Sequence, residues 1–568
     1  MTNAEIAAAL DELAVLYQLD GADRYRVLAY TNAARAIKSQ GRSVEEMARQ
    51  GHVTELPGVG KTLEEKIVAL IETGDIPAAV ALKEKLPPGL IEINRIPGLG
   101  PKTVRRLHDE LGVDTPDDLR EAAEEEQVRK LKGLGPKVEE NIITGLDKLV
   151  AEPEGPARRR LDQIRPAAEE LVAALRSHPD CDRAEIAGSV RRMTDTCKDI
   201  DLIATSDSAL ELTTHMAGHD SIASAGSPSE KGIKLETHSG IGVDLRIVAP
   251  DAFGNLLQHF TGSAAHNTEL REVAVSNGLR VSEHGIKDEK TGETERFANE
   301  EEVYGRLGYE YIVPELRENR GELEAAREGR LPELVDLNQI RGDLHAHTTL
   351  SDGKATLEEM SDAARGLGYE YLAITDHSAS HGFGDHVSPE RLWRRIEEIR
   401  DFNSGPDDGF WLLAGSEVNI QTDGTLDYED DLLAELDWVI ASVHTAFKDD
   451  ADYMTARMIA AIEHPEVDCI GHPTGRLLDW REPYPLEIEA VIAAAAACGT
   501  VFEINGNPNR RDLSDVHARM ASEAGVKLVL NTDAHSSAGL ELMEYAVATA
   551  RRAWLGPDQI LNTGPWWG

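Results

Sequence analysis

Cysteine is scarce in this chain. Its four residues, Cys181, Cys197, Cys469 and Cys498, are scattered through 568 positions with no CxxC pair, which argues against a disulfide frame or a cysteine zinc site and fits a reducing compartment. Any metal must then be held by histidines and carboxylates. Long apolar runs are missing too: no stretch reaches the length that spans a bilayer, and the opening MTNAEIAAALDEL has no basic segment ahead of an apolar one. A soluble, cytoplasmic protein without a membrane partner is expected. Basic residues are the third shortage, with 59 Lys and Arg against 102 Asp and Glu, a net charge of −43. That is the wrong sign for a simple phosphate binder. The acids are dispersed rather than gathered into a tail, and 41% of residues are apolar, so disorder is not expected. Such a solvated carboxylate coat resembles that of halophilic proteins working in molar salt, where screening shrinks to about 3 Å. Net charge then does not exclude nucleic acid as a partner. The length implies several domains, each with its own core.

Residues 4–19 carry Ile6, Leu10, Leu13 and Leu16 at helical spacing, and VLAYTNAARAI and LEEKIVALIET continue the period. An all-α bundle is expected at this end. Within it, LPGVGKTLEEKI (56–67), IPGLGPKTVRRL (96–107) and LKGLGPKVEENI (131–142) repeat one pattern: apolar-x-Gly-apolar-Gly, a basic residue, then a helix. The glycine pairs Gly58 and Gly60, Gly98 and Gly100, and Gly133 and Gly135 permit tight turns. Each following helix N-terminus offers backbone N–H groups and a positive dipole end to a phosphate. Contacts of that kind read backbone, not base sequence. The three segments resemble helix-hairpin-helix motifs, whose repeated use implies DNA.

The middle of the chain gathers acids around strand-like runs. AEIAGSVRRMTDTCKDIDLIAT contains Gly188 and Ser189 after an apolar run, then Arg191 and Arg192, then Asp199 and Asp201 about an isoleucine. Alternate residues of a strand face one side, so both carboxylates project together. A third acid, Asp244, lies in GIGVDLRIVAP. Three converging carboxylates are costly without cations. Two divalent ions about 4 Å apart could activate a primer hydroxyl and stabilise a leaving pyrophosphate, with Ser189 and Arg192 holding the nucleotide's phosphates.

The Gly-Ser, Asp-x-Asp and Asp set resembles the nucleotidyltransferase palm. HFTGSAAHNTELREVAVSNGL (259–279) narrows the match: it is similar to the nucleotide-side segment of family X DNA polymerases, with Phe260, Gly262, Asn267 and Arg271 at matching positions. The resemblance covers residues 1 to about 320. It implies Mg²⁺ or Mn²⁺ at the aspartates, dNTPs and gapped or nicked DNA as substrates, and Lys66 as a Schiff-base lysine for removing 5′-deoxyribose phosphate. One departure is His259-Phe260 where many members carry Tyr-Phe beside the sugar.

A charged stretch, 313–340, with Pro314 and Pro332, reads as a connector. RGDLHAHTTLSDG follows, with His345, His347 and Asp352. Further ligand types come after short apolar runs: Asp376 and His377 in YLAITDHS, Glu417 in LLAGSEVNI, His444 in WVIASVHT, His472 in CIGHP, Asp533 and His535 in LVLNTDAH. Alanine-rich helical stretches lie between them. Repeated strand-loop-helix units predict a distorted TIM-like α/β barrel with its chemistry at the C-terminal strand ends. Nitrogen and oxygen donors without sulfur suit Zn²⁺, Mn²⁺ or Fe²⁺. The set resembles the PHP phosphoesterase domain over residues 341 to about 545. That resemblance implies up to three ions, Zn²⁺ or Mn²⁺: one on His345, His347, Glu417 and Asp533; a second on the bridging Glu417 with His444 and His472; a third on Asp352, His377 and His535. Asp376 would orient a ligand.

The expected organisation is a lyase-like helical domain (1–88), a second hairpin region (89–155), an α+β palm (156–250), a small thumb (251–318), a linker (319–340) and a PHP barrel (341–568), acting as a monomer. The resemblances imply gap-filling DNA synthesis in base excision repair, with a 3′–5′ exonuclease or abasic-site endonuclease in the barrel. Two other readings stand beside it: a small phosphomonoesterase, acting for example on histidinol phosphate, with an inert DNA-binding half; or a DNA-end scaffold with both metal sites idle. The terminal GPWWG would close the barrel.

Overall fold

The computed structural model describes all residues except 39, 95, 97–98, 151–157, 381–386, 406–407, 448–449 and 567–568, and the side chains of 148–150. The chain divides into two compact units. One comprises Met1–Arg158, Gln163–Ile186 and Lys198–Ala249; the other Arg159–Asp162, Ala187–Cys197 and Pro250–Gly568. Residues 187–197, which carry Gly188, Ser189 and Arg192, fall in the second unit.

In the first unit, helix Asn3–Leu19 opens with a capping box in which Thr2 and Glu5 satisfy each other's backbone N–H. Its stripe of Ile6, Leu10, Leu13 and Leu16 is fully buried, as the period requires. The glycine turns lie where the repeats predict. Gly60 and Gly100 cap helices Lys61–Thr73 and Pro101–Leu111, and Gly135 immediately precedes helix Pro136–Val150. Gly58 and Gly133 take φ of 78° and 86°, a left-handed conformation that favours glycine. A Cβ on Gly60, Gly100 or Gly135 would meet nothing within 4 Å. Internal packing therefore does not explain those three glycines. Gly98 lies outside the described residues.

The palm is a five-stranded sheet built from β1 (Arg183–Ile186), β2 (Asp199–Thr205), β3 (Ile222–Ala225), β4 (Gly232–Thr237) and β5 (Gly242–Ile247), in the order β1-β2-β5-β4-β3. Only β2 and β5 are parallel; the other neighbours run antiparallel. Ile200, Leu202 and Leu245 are fully buried, so the alternate residues of β2 and β5 are left to the other face.

The second unit begins its thumb with helices Phe253–Thr261 and Ala264–Ser276, followed by a three-stranded antiparallel sheet over residues 279–295. The stretch 313–340, read from composition as a connector, is a folded part of this unit. Leu316, Leu323, Ala325 and Ala326 are buried. Arg317, fully buried, pairs with Glu300 at 2.6 Å and lies over the Tyr304 and Tyr311 rings. Glu322 accepts hydrogen bonds from the backbone N–H groups of Asn319 and Arg320 and contacts His266. Composition misleads here because buried ion pairs replace the missing apolar bulk.

The barrel has seven parallel strands in chain order: β6 (Gly342–Ala346), β7 (Tyr371–Ile374), β8 (Trp411–Asn419), β9 (Trp438–Ser442), β10 (Cys469–Ile470), β11 (Val501–Asn505) and β12 (Leu528–Asn531). One bridge, Ala346 to Ala534, joins its first and last strands. Trp566 packs against Tyr371 and Trp438, ring centroids 6.1 Å away in each case, and Trp567 is outside the described residues. Segment 187–197 is fastened to the barrel by arginines. Arg476 and Arg511 pair with Asp195 at 3.0 and 3.3 Å. Arg552 donates to Arg192 O at 2.8 Å and pairs with Glu318 and Asp515.

Candidate metal centre and nucleotidyl-transfer residues

The barrel strands deliver their ligand types to one end. His345 is the second-last residue of β6 and Glu417 lies inside β8, while His377, His444, His472 and Asp533 follow β7, β9, β10 and β12 by two or three residues. His345, His347 and Glu417 are at most 1% exposed. Glu417 is the hub. Its Oε1 lies 2.9 Å from His472 Nε2 and 3.1 Å from His444 Nε2, and its Oε2 lies 2.9, 3.3 and 3.5 Å from His377 Nδ1, His345 Nε2 and His347 Nε2. Asp533 Oδ1 reaches His347 Nε2 at 3.2 Å and His345 Nε2 and His535 Nδ1 at 3.6 Å. Asp352 reaches His535 Nε2 at 3.3 Å and His377 Nε2 at 3.7 Å. His472 and Asp533 take positive φ, 29° and 56°, a strain that surrounding structure must hold in place.

Three groups bring ligand atoms within 4.8 Å of one another: His345, His347 and Asp533; His377, Glu417 and His444; and His347, Asp352, His377 and His535. His345 Nε2, both nitrogens of His347 and Glu417 Oε2 are buried and make no hydrogen bond among the described residues. Buried polar atoms are ordinarily paired, so a cluster of converging nitrogen and oxygen donors left unspent fits divalent cations in number and chemistry.

The charges of this cluster depend on one another. Burial would lower His345, but Glu503, Glu417 and Asp533 outweigh it and hold the imidazole well above its usual range. His535 rises to about 9 in spite of burial, through Asp352 and Asp533. Burial, with His535 and His377, pushes His347 down to about 3, and burial takes His444 to about 4. Burial would raise the carboxyls of Glu417 and Asp533, yet the imidazoles hold both well below the carboxylate range. At neutral pH the metal-free cluster thus keeps protons on His345 and His535 where cations would otherwise balance the acids.

Residues that sequence reading passed over support these ligands. Glu503, inside β11 and fully buried, lies 2.6 Å from His345 Nδ1 and accepts hydrogen bonds from His472 N and Asn531 Nδ2. β11 alone contributed no ligand type to the sequence reading, and the acid in VFEIN stood in the phase of the repeat. Asn505 Nδ2 and Arg510 approach Asp533 at 3.2 and 3.3 Å. Asp343, pushed up to about 7 by burial, accepts from the Thr532 hydroxyl. Asp376 accepts from Thr348 N, Thr348 Oγ1 and Ser351 Oγ at 2.7–2.8 Å, so it fixes the loop that leads to Asp352.

In the palm, Asp201 and Asp244 are register partners on the parallel strands β2 and β5, and Asp199 is opposite Gly242. The three therefore share one face of the sheet. Asp199 is exposed and the other two are half-buried. Asp244 is paired with Arg246 at 2.8 Å. In the second unit Gly188 and Ser189 start the short helix Gly188–Arg191, and Gly188 is buried with φ of 63°. Arg192 is not free: Glu318 pairs with it at 3.0 Å and it donates to Thr261 O. Asn267 accepts from Gln258 and donates to His259 O at 2.7 Å, and Arg271 donates to Asn267 O. Phe260 packs against His259, centroids 5.6 Å apart, and a Cβ on Gly262 would sit 3.2 Å from Arg192. Lys66 is half-buried in helix Lys61–Thr73.

A palm followed by a thumb and a histidine-rich parallel barrel defines a polymerase-type chain fused to a metal-site hydrolase fold. Family models agree: residues 1–76 match a helix-hairpin-helix domain, 90–148 a SAM-like helix-hairpin-helix tandem, 256–318 the DNA polymerase beta thumb and 343–505 the PHP domain. The DNA polymerase/3′-5′ exonuclease PolX of Bacillus subtilis (strain 168) is 36% identical over 564 residues, 99% of this chain and 97% of that one. Two proteins named probable phosphatases, from Thermoanaerobacter sp. (strain X514) and Shewanella sediminis (strain HAW-EB3), are 34% and 33% identical over 39% of this chain and 89% of their own. The chain belongs to the family X DNA polymerases that carry a PHP domain, the PolX family.

Proposed function

We propose that this chain fills short DNA gaps with its palm and trims 3′ ends with its barrel, in base excision repair. The observation that carries the reading is the end-to-end match to a protein whose name states both activities, together with a buried barrel cluster of converging His, Asp and Glu donors. In this reading Asp199, Asp201 and Asp244 bind Mg²⁺ or Mn²⁺, and Ser189 and Arg192 hold the nucleotide's phosphates. Phe260, Gly262, Asn267 and Arg271 shape the nucleotide side of the site. For Arg192 to reach a nucleotide it must exchange Glu318 for phosphate, a like-for-like trade of acceptors. Lys66 serves the lyase step. The glycine turns at Gly58, Gly60, Gly98, Gly100, Gly133 and Gly135 grip backbone phosphates.

The barrel ligands His345, His347, Asp352, His377, Glu417, His444, His472, Asp533 and His535 would hold Mn²⁺ or Zn²⁺. Bound there, the cations supply Lewis-acid neutralisation of the phosphodiester and a more acidic water. The protein's part is to fix the ligands, through Glu503 on His345 and Asn505 on Asp533, and to keep the cluster buried. We place the enzyme in the cytoplasm, as a monomer, in a cell of high internal salt, where its −43 charge is screened.

Hydrolysis of small phosphate monoesters is a second reading of the barrel, favoured by the probable phosphatases aligned to it. A single assay separates the two. On gapped DNA with dNTPs and Mn²⁺, the proposed enzyme extends the primer and, without dNTPs, shortens it. A monoesterase with an inert N-terminal half does neither.

A further inference from the structure

Outside the metal cluster the barrel holds a cavity of about 180 Å³ lined by Leu350, Arg391, Arg394, Arg395 and Glu398. Four of these lie on helix Pro389–Asn403 at positions i, i+3, i+4 and i+7, hence on one face. Three guanidiniums against one carboxylate reverse the sign of a chain with 59 basic and 102 acidic residues. Arg395 is 8% exposed. Its Nη2 donates to Thr348 Oγ1 at 3.3 Å and Glu398 lies 3.3 Å from its Nε, yet Nε and Nη1 make no hydrogen bond among the described residues. A buried cation with unspent donors is costly unless an acceptor meets it. Arg391 donates to Leu350 O at 2.9 Å, while Arg394 is exposed and donates its Nε to Glu390 O at 3.1 Å.

The cavity stands beside the cluster by construction. Leu350 precedes Asp352 by two residues, and the same loop is clamped by Asp376 through Thr348 and Ser351. It is smaller than the about 300–1,000 Å³ of sites that enclose drug-sized ligands, so it suits a single anionic group. Planar guanidinium forks match phosphate oxygens.

We propose that Arg391, Arg394 and Arg395 form a phosphate subsite that holds a backbone phosphate of the strand whose end enters the metal cluster. The subsite rests on the reading of the barrel as a DNA phosphoesterase. It positions substrate and takes no part in bond cleavage.

The test uses the full chain with Mn²⁺ and two substrates: pentathymidylate, and the p-nitrophenyl ester of thymidine 5′-phosphate, a diester with no neighbouring phosphate. Arg394→Ala should raise KM for pentathymidylate about fivefold with kcat little changed, and Arg394→Glu should raise it further. The small diester should be hydrolysed as by the parent. The salt dependence of kcat/KM on pentathymidylate should become shallower by about 0.7 in log–log slope, one lost contact to a single strand. Parental KM and slope in both variants overturn the subsite, as does an equal loss on both substrates, which would mean that Arg394 only braces the loop. A parent protein that hydrolyses no DNA overturns the barrel reading itself, and the subsite with it.

Discussion

The barrel and the palm hold their acids in opposite ways. In the barrel, Glu417 is 1% exposed and ringed by five imidazoles from four strand ends. In the palm, three aspartates share one face of two parallel strands, Asp199 exposed and Asp201 and Asp244 half-buried, with Arg246 paired to Asp244. A buried cluster of this kind is completed by its cations, because ionised groups taken out of water need partners. A triad that is only partly buried keeps water at its carboxylates, and its cations can come with the nucleotide. The barrel should therefore behave as a resident metal site and the palm as one assembled with substrate.

That contrast can be broken most severely at Glu503. Glu503→Gln removes the charge behind His345 and should weaken Mn²⁺ binding to the purified protein by about 10–100-fold, with nucleotide addition on gapped DNA unchanged. Equal metal affinity in calorimetry would show that Glu503 is a bystander.

The pH dependence should also differ. His535 has its pKa raised to about 9, so in the metal-free protein its proton is held at neutral pH and must leave when a cation binds. Mn²⁺ uptake at pH 7 should release protons, and barrel affinity should rise with pH up to about 9. By the same linkage the stability that His535 lends the metal-free chain is fully present below its unfolded value of 6.5 and lost as pH rises through about 9. Proton release is read by titration in buffers of different ionisation heat. A pH-independent affinity would contradict the assignment.

The smallest effect should come from Arg552, which joins barrel to segment 187–197 through Arg192 O and Glu318. Arg552→Ala should raise KM for dNTP about fivefold, with hydrolysis at the barrel within twofold of the parent. An unchanged KM would leave the two chemistries mechanically independent.

Much of this was legible in the sequence, for reasons that differ by region. The barrel was readable because His377, His444, His472 and Asp533 each follow a short apolar strand by two or three residues, and Glu417 stands near the end of another. Glu503 escaped because an acid within a strand resembles an ordinary polar position until its partner, His345, is known to be 158 residues away. The first helix followed from its period and the glycine turns from the repeated pattern. The 313–340 segment did not, because Arg317 and Glu322 are buried by pairing rather than by hydrophobicity. Nor could any local pattern foretell that residues 187–197 are bolted to Arg476, Arg511 and Arg552, which lie some hundreds of positions later.

The central claim is that two separate centres perform two separate reactions. Its most direct test assays parent, Asp199→Ala and Asp533→Ala side by side for primer extension on gapped DNA and for hydrolysis of a labelled 3′ end. Asp199→Ala should lose extension and keep hydrolysis, and Asp533→Ala the reverse. If either substitution abolishes both activities in a protein that remains folded by circular dichroism, or if hydrolysis falls with Asp199 while Asp533→Ala retains it, the two-centre account is wrong.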